Sequence, residues 1–115
     1  MVMRKIIERL FGVGMPDKPG ERRTVTVRIE GRVQGVYYRA WTHDTAHAFG
    51  LDGWVRNASD GSVEAVFSGP PAAVEEMLKR CAIGPRGAKV TAVTIVDEGG
   101  APPSGFKVIA TDRWR

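Results

Sequence analysis

The chain has 115 residues, 43% hydrophobic and 26% charged, with one cysteine and a formal net charge of +4. That length suits one domain with a real core and is too short for two, and the lone Cys81 excludes an intrachain disulfide and a thiolate metal cluster. Six basic residues (Arg4, Lys5, Arg9, Lys18, Arg22, Arg23) and three acids (Glu8, Asp17, Glu21) fall before Thr24, so the rest of the chain is near neutral, which argues against a nucleic-acid module.

Met3, Ile6, Ile7, Leu10 and Phe11 recur at helical spacing among charged residues, the pattern of a short amphipathic helix that is marginal on its own. The Gly- and Pro-rich stretch from Gly12 to Gly20 reads as a linker. Residues 1–21 are therefore expected to be an extension and linker, and 22–115 the domain. The extension is either loosely held or docked on a partner, a membrane surface or its own domain.

Thr24 to Glu30 alternates polar and apolar residues without a break, predicting a half-buried strand with Val25, Val27 and Ile29 facing the core and Gly31 ending it. The stretch Gly31-Arg32-Val33-Gln34-Gly35-Val36-Tyr37-Tyr38-Arg39 follows. Gly35 allows a positive φ, and such a bend can gather successive N–H groups into a concavity that binds phosphate oxygens. Arg39 stands at the start of a helical pattern, where free N–H groups and the helix dipole also favour an anion, and its planar fork holds two oxygens at once. Taken alone, such a loop is more often simply a turn, since it carries neither a P-loop nor a dinucleotide fingerprint.

A helix is predicted from about Tyr38 to Phe49, with Tyr38, Trp41, Thr42, Thr45, Ala46 and Phe49 on one face and Gly50 beyond its end. His43 and His47 lie four apart on the other face without an evident third ligand, which reads as surface histidines. Trp54-Val55-Arg56-Asn57 and Ser62 to Ser68 read as two strands joined at Asp60-Gly61, a strong hairpin signal. Pro70-Pro71 opens a second helix striped by Val74, Met77, Leu78 and Cys81, which makes Cys81 a core filler, and Gly84-Pro85 stops it. Lys89 to Val96 and Phe106 to Ala110 complete the strands. The order β-α-β-β-α-β plus a short terminal fifth strand predicts an α+β, ferredoxin-like sandwich with both helices on one face of an antiparallel sheet.

Gly31-Arg32-Val33-Gln34-Gly35-Val36 running to an aromatic-Arg pair, then Gly53-Trp54-Val55-Arg56-Asn57, then Asp60-Gly61-x-Val63-Glu64, resembles the acylphosphatase family from about Val25 to Ile109. The resemblance implies hydrolysis of the carboxyl–phosphate bond of acyl phosphates. It assigns Arg39 to phosphate binding together with the cradle residues Gln34, Gly35, Val36, Tyr37 and Tyr38, and Asn57 to positioning the attacking water. Tyr38 departs from the usual Phe, and its phenol must find a hydrogen-bond partner or reach the domain edge.

No metal or organic cofactor is implied, because an acyl phosphate has a good leaving group and positioning with electrostatic stabilisation suffices. An amide such as Asn57 orients a water without ionising, although the same residue also suits the turn before Asp60-Gly61. A non-catalytic phosphate- or anion-binding regulatory module is the alternative; it would keep the cradle but have no need of Asn57. An RNA-binding sheet would show an aromatic strand motif, and neither Thr24–Glu30 nor Ser62–Ser68 does. The expected partner is a small-molecule acyl phosphate, with no nucleic acid and no membrane span, and the expected setting is a monomer in the reducing cytoplasm.

Overall fold

A computed structural model of the chain describes residues 20–111. In chain order the elements are β1 (Arg23–Arg32), α1 (Tyr38–Ala48), β2 (Asp52–Asn57), β3 (Val63–Gly69), α2 (Pro71–Cys81), β4 (Lys89–Glu98) and β5 (Phe106–Val108). The strands form one sheet in the order β4-β1-β3-β2-β5. The α+β, ferredoxin-like arrangement expected from the element order is the one observed. The extension, including Met3 to Phe11, lies outside the described residues but for its last two, Gly20 and Glu21.

β1 is central because both its edges are paired, with β3 and with β4, each antiparallel. Its alternation does what the pattern predicted, since Val25, Val27 and Ile29 are fully buried. They meet Val55 from β2, Val63, Ala65 and Phe67 from β3, and Val74, Met77, Leu78 and Cys81 from α2 in one core cluster. Cys81 is a buried free thiol within that cluster. α1 packs against β2 and β5, and α2 against β1 and β3.

Two local expectations change and one gains detail. Gly31 does not end β1, which runs on to Arg32, paired with Lys89. The register with β4 shifts between Glu30 and Gly31, and β4 passes so close that a Cβ on Gly31 would sit 2.1 Å from the Lys89 carbonyl oxygen; the glycine carries the strand through a bulge. The hairpin expected at Asp60-Gly61 joins β2 to β3 through a loop longer than two residues. Ala58 N–H donates to the Ser62 carbonyl (2.8 Å) and Gly61 N–H to the Ala58 carbonyl (3.2 Å), with Gly61 at φ 96°, the geometry of a three-residue loop. The terminal strand β5 joins the otherwise antiparallel sheet as its one parallel member, beside β2.

Tyr38 is 1% exposed, and its O–H donates to the Cys81 carbonyl oxygen at 2.7 Å. That carbonyl belongs to the last turn of α2, where no intrahelical donor is available, so the Tyr38 phenol satisfies an end of the neighbouring helix. Burial raises the Tyr38 hydroxyl above its ordinary pKa and pushes the Cys81 thiol up to about 12, so neither exchanges protons near neutral pH. His43 and His47 stack with ring centroids 6.2 Å apart, and His43 also meets the edge of Phe106.

Candidate active site

The loop between β1 and α1 is anchored at one end by Val33, 1% exposed, and at the other by the buried Tyr38. Between them Gly35 has φ 75° and Tyr37 has φ 68°. Glycine adopts that region freely. Tyr37 does not, and as the only described non-glycine residue with positive φ it carries a cost of about 1–2 kcal/mol. Left-handed residues at Gly35 and Tyr37, separated by Val36, turn successive N–H groups toward one concavity.

Tyr37 is the residue preceding the first turn of α1 and offers no side-chain cap. The N–H groups of Gly35, Val36, Tyr37, Tyr38 and Arg39 find no acceptor among the described residues. No acidic residue stands in the first turn of α1. Arg39 is exposed and has no ion-pair partner among the described residues, although a cation in a first turn opposes the helix dipole. Free donors, the positive end of a helix and a free guanidinium at one place suit an anion.

The cradle opens into a pocket of about 350 Å³ lined by Val33, Gly35, Tyr37, Tyr38, Arg39, Ala40, Asn57 and Val108. Asn57 arrives from the last position of β2, paired with Val63 of β3. Its Oδ1 is buried without a hydrogen-bond partner among the described residues. A buried acceptor left unpaired costs about 1–3 kcal/mol, and an orphan beside an anion cradle is poised for a donor from outside the chain.

Two expected binding residues are placed differently. The Gln34 side chain is outside the pocket: its Nε2 donates to the carbonyls of Ala58 and Ser62, both at 2.8 Å. It ties the cradle to the loop that follows Asn57. Val36 turns its side chain toward Gly87 in the α2–β4 connection, leaving its backbone to the cradle. Gly35, Tyr37, Tyr38, Arg39 and Asn57 do come together.

Sequence reasoning missed Ala40 and Val108 as lining residues and missed the left-handed Tyr37. Nothing in an aromatic residue type signals that conformation, and Val108 reaches the site only because β5 pairs parallel with β2. A second concavity of about 280 Å³, lined by Arg28, Glu30, Gly31, Asp60, Gly61 and Ser62, is of another kind. There Arg28 pairs with Glu30 (3.1 Å), with Asp60 and with Glu64 (3.8 Å), so this one cation is already engaged by carboxylates and the lining carries a negative excess.

A ferredoxin-like sheet whose pocket gathers a backbone cradle of free donors, an unpaired arginine and an orphaned amide defines a small domain suited to an anion such as a phosphoryl group. The family model for acylphosphatase matches residues 25–108. The chain is 45% identical over 97 residues to an acylphosphatase of Rhizorhabdus wittichii, covering 84% of this chain and 94% of that one. It is 51% identical over 84 residues to an acylphosphatase of Rhodospirillum rubrum, covering 73% and 92%. The solved acylphosphatase of Coxiella burnetii superposes with a TM-score of 0.74 at 31% identity, over 83% of this chain and all of that one. This chain belongs to the acylphosphatase family.

Proposed function

We propose that the cradle from Gly35 to Arg39 binds the phosphoryl group and that Asn57 positions the attacking water. The reaction is the family's: hydrolysis of the carboxyl–phosphate bond of an acyl phosphate to a carboxylate and inorganic phosphate. Water attacks phosphorus, the bond from phosphorus to the acyl oxygen breaks, and the carboxylate leaves with the bonding pair. The water's proton passes to an oxygen of the substrate.

The backbone donors and the Arg39 fork hold the equatorial oxygens and the charge that spreads over them in transfer. A carboxylate is a good leaving group, so no general acid is required. The observation that carries this reading is the convergence of free backbone donors, an unpaired Arg39 and the orphaned Asn57 amide on one pocket. A module that only bound an anion would gain nothing from burying an unpaired amide oxygen beside it.

The reading extends to a metal-independent monomer working in the cytoplasm. One chain supplies every proposed group, and its single cysteine is buried in the core. Among the described residues no helix is long and apolar enough to cross a membrane.

The test is turnover of acetyl phosphate with excess EDTA, then with added inorganic phosphate. Turnover unaffected by EDTA and competitively inhibited by phosphate is expected, because the cradle holds product as it holds substrate. Loss of activity in EDTA contradicts the mechanism, and equal rates on a simple phosphate monoester reveal an acid this account lacks.

A further inference from the structure

We propose that Tyr37 and Val108 form an apolar lip that takes the acyl group, so that the enzyme favours acyl phosphates with an aromatic or extended apolar acyl group. This deepens the site assignment above and rests on it. Four large hydrophobic side chains are exposed among the described residues, and two of them, Tyr37 at 83% and Val108 at 45%, line this one pocket.

Arg39 is the only formally charged residue of the lining, and the phosphoryl group engages it together with the cradle N–H groups. The acyl carbon stands one oxygen away from phosphorus in a mixed anhydride. With phosphate seated against the backbone, the acyl chain leads out of the cradle, where the solvent-exposed side chains stand. No lining carboxylate or second cation is there to recognise a polar acyl group.

The backbone at Tyr37 carries the same implication. Its left-handed conformation suits glycine, which occupies the other left-handed position of the loop. The aromatic ring adds little to the core, since it is almost wholly exposed. A bulky side chain held at a conformational cost on the rim of a ligand site is one whose surface is used there. Rings of this kind take apolar and aromatic groups by stacking and by area burial.

The experiment measures kcat/KM for benzoyl phosphate and acetyl phosphate in the full chain, in Tyr37→Gly and in Val108→Thr. Tyr37→Gly keeps the backbone conformation and relieves its strain, so the variant folds. The ratio of benzoyl to acetyl kcat/KM is expected to fall roughly threefold to tenfold in Tyr37→Gly, the scale of one lost aromatic contact. A smaller fall, about twofold, is expected in Val108→Thr, which keeps shape but adds a hydroxyl. Comparing ratios cancels the intrinsic difference between the two anhydrides. Ratios unmoved in both variants overturn the lip and leave the phosphate cradle standing, and they point to Tyr37 as a surface for another protein. A parent chain that hydrolyses neither substrate overturns the site assignment and the lip with it.

Discussion

Two loops lie side by side in this molecule and spend their backbone hydrogen bonds in opposite ways. In the hairpin after Asn57 the bonds are made within the chain: Ala58 N–H to Ser62, Gly61 N–H to Ala58, and Ser62 N–H to the Asp60 carboxylate at 3.0 Å. Its Ala58 and Ser62 carbonyls receive the Gln34 amide as well. In the cradle a run of N–H groups from Gly35 to Arg39 has no described acceptor, and the chain bears a left-handed tyrosine to keep that shape. Gly35, Tyr37 and Arg39 are exposed, so their N–H groups stand open to solvent and to an anion that displaces it. A loop that satisfies itself is a fastener, and a neighbouring loop that does not is built around something that arrives later.

If the cradle carries the chemistry, damage to it outweighs damage to the fastener. The largest loss is expected for Arg39→Ala, with kcat/KM down on the order of 10³-fold and weaker inhibition by phosphate, because the guanidinium acts in ground and transition states alike. Arg39→Lys restores only part, since a point charge cannot make the forked contact. Next comes Asn57→Ala, with kcat down on the order of 10²-fold while the inhibition constant for phosphate moves little. A folded Asn57→Ala protein with near-normal kcat returns Asn57 to the role of a turn residue. Steady-state kinetics with phosphate as competitor separates the two variants.

Gln34→Leu tests the tie between the two loops. Two hydrogen bonds are lost while the Ala58 and Ser62 carbonyls keep their backbone donors, so stability is expected to fall by about 1–3 kcal/mol in a denaturant titration. Activity falls by about tenfold through a misplaced Asn57, the kind of loss a small displacement causes. A Gln34→Leu enzyme that loses as much phosphate affinity as Arg39→Ala contradicts the division between fastener and cradle. The smallest effect is expected from deleting residues 1–20, with turnover within about twofold and Tm nearly unchanged, as for a terminus not tied into the core. A large drop in Tm shows instead that Ile6, Ile7, Leu10 and Phe11 dock on the domain.

The elements most legible in the sequence are those whose residues obey a local period. The alternation of β1 and the stripe Val74, Met77, Leu78 and Cys81 in α2 are buried as their spacing predicts. The left-handed Gly35 and the positions of Arg39 and Asn57 on one pocket also follow from the motifs and their family resemblance. What escaped depends on partners distant in sequence. Gln34 reads as a cradle residue until the carbonyls of Ala58 and Ser62 come within its reach, and Gly31 reads as a strand end until β4 pairs alongside it. The parallel pairing of β5 brings Val108 to the site by a strand order that no local pattern encodes. Tyr38 was legible as a problem, and its solution, the Cys81 carbonyl, lies in another helix.

The contrast between the two loops is tested most directly by following backbone amide resonances of the 15N-labelled protein as inorganic phosphate is added. The account predicts saturable shifts that are largest at Gly35, Val36, Tyr37, Tyr38 and Arg39, with the amides of Ser59, Asp60, Gly61 and Ser62 moving little. Shifts centred on the hairpin, or spread evenly over the surface without saturation, contradict it.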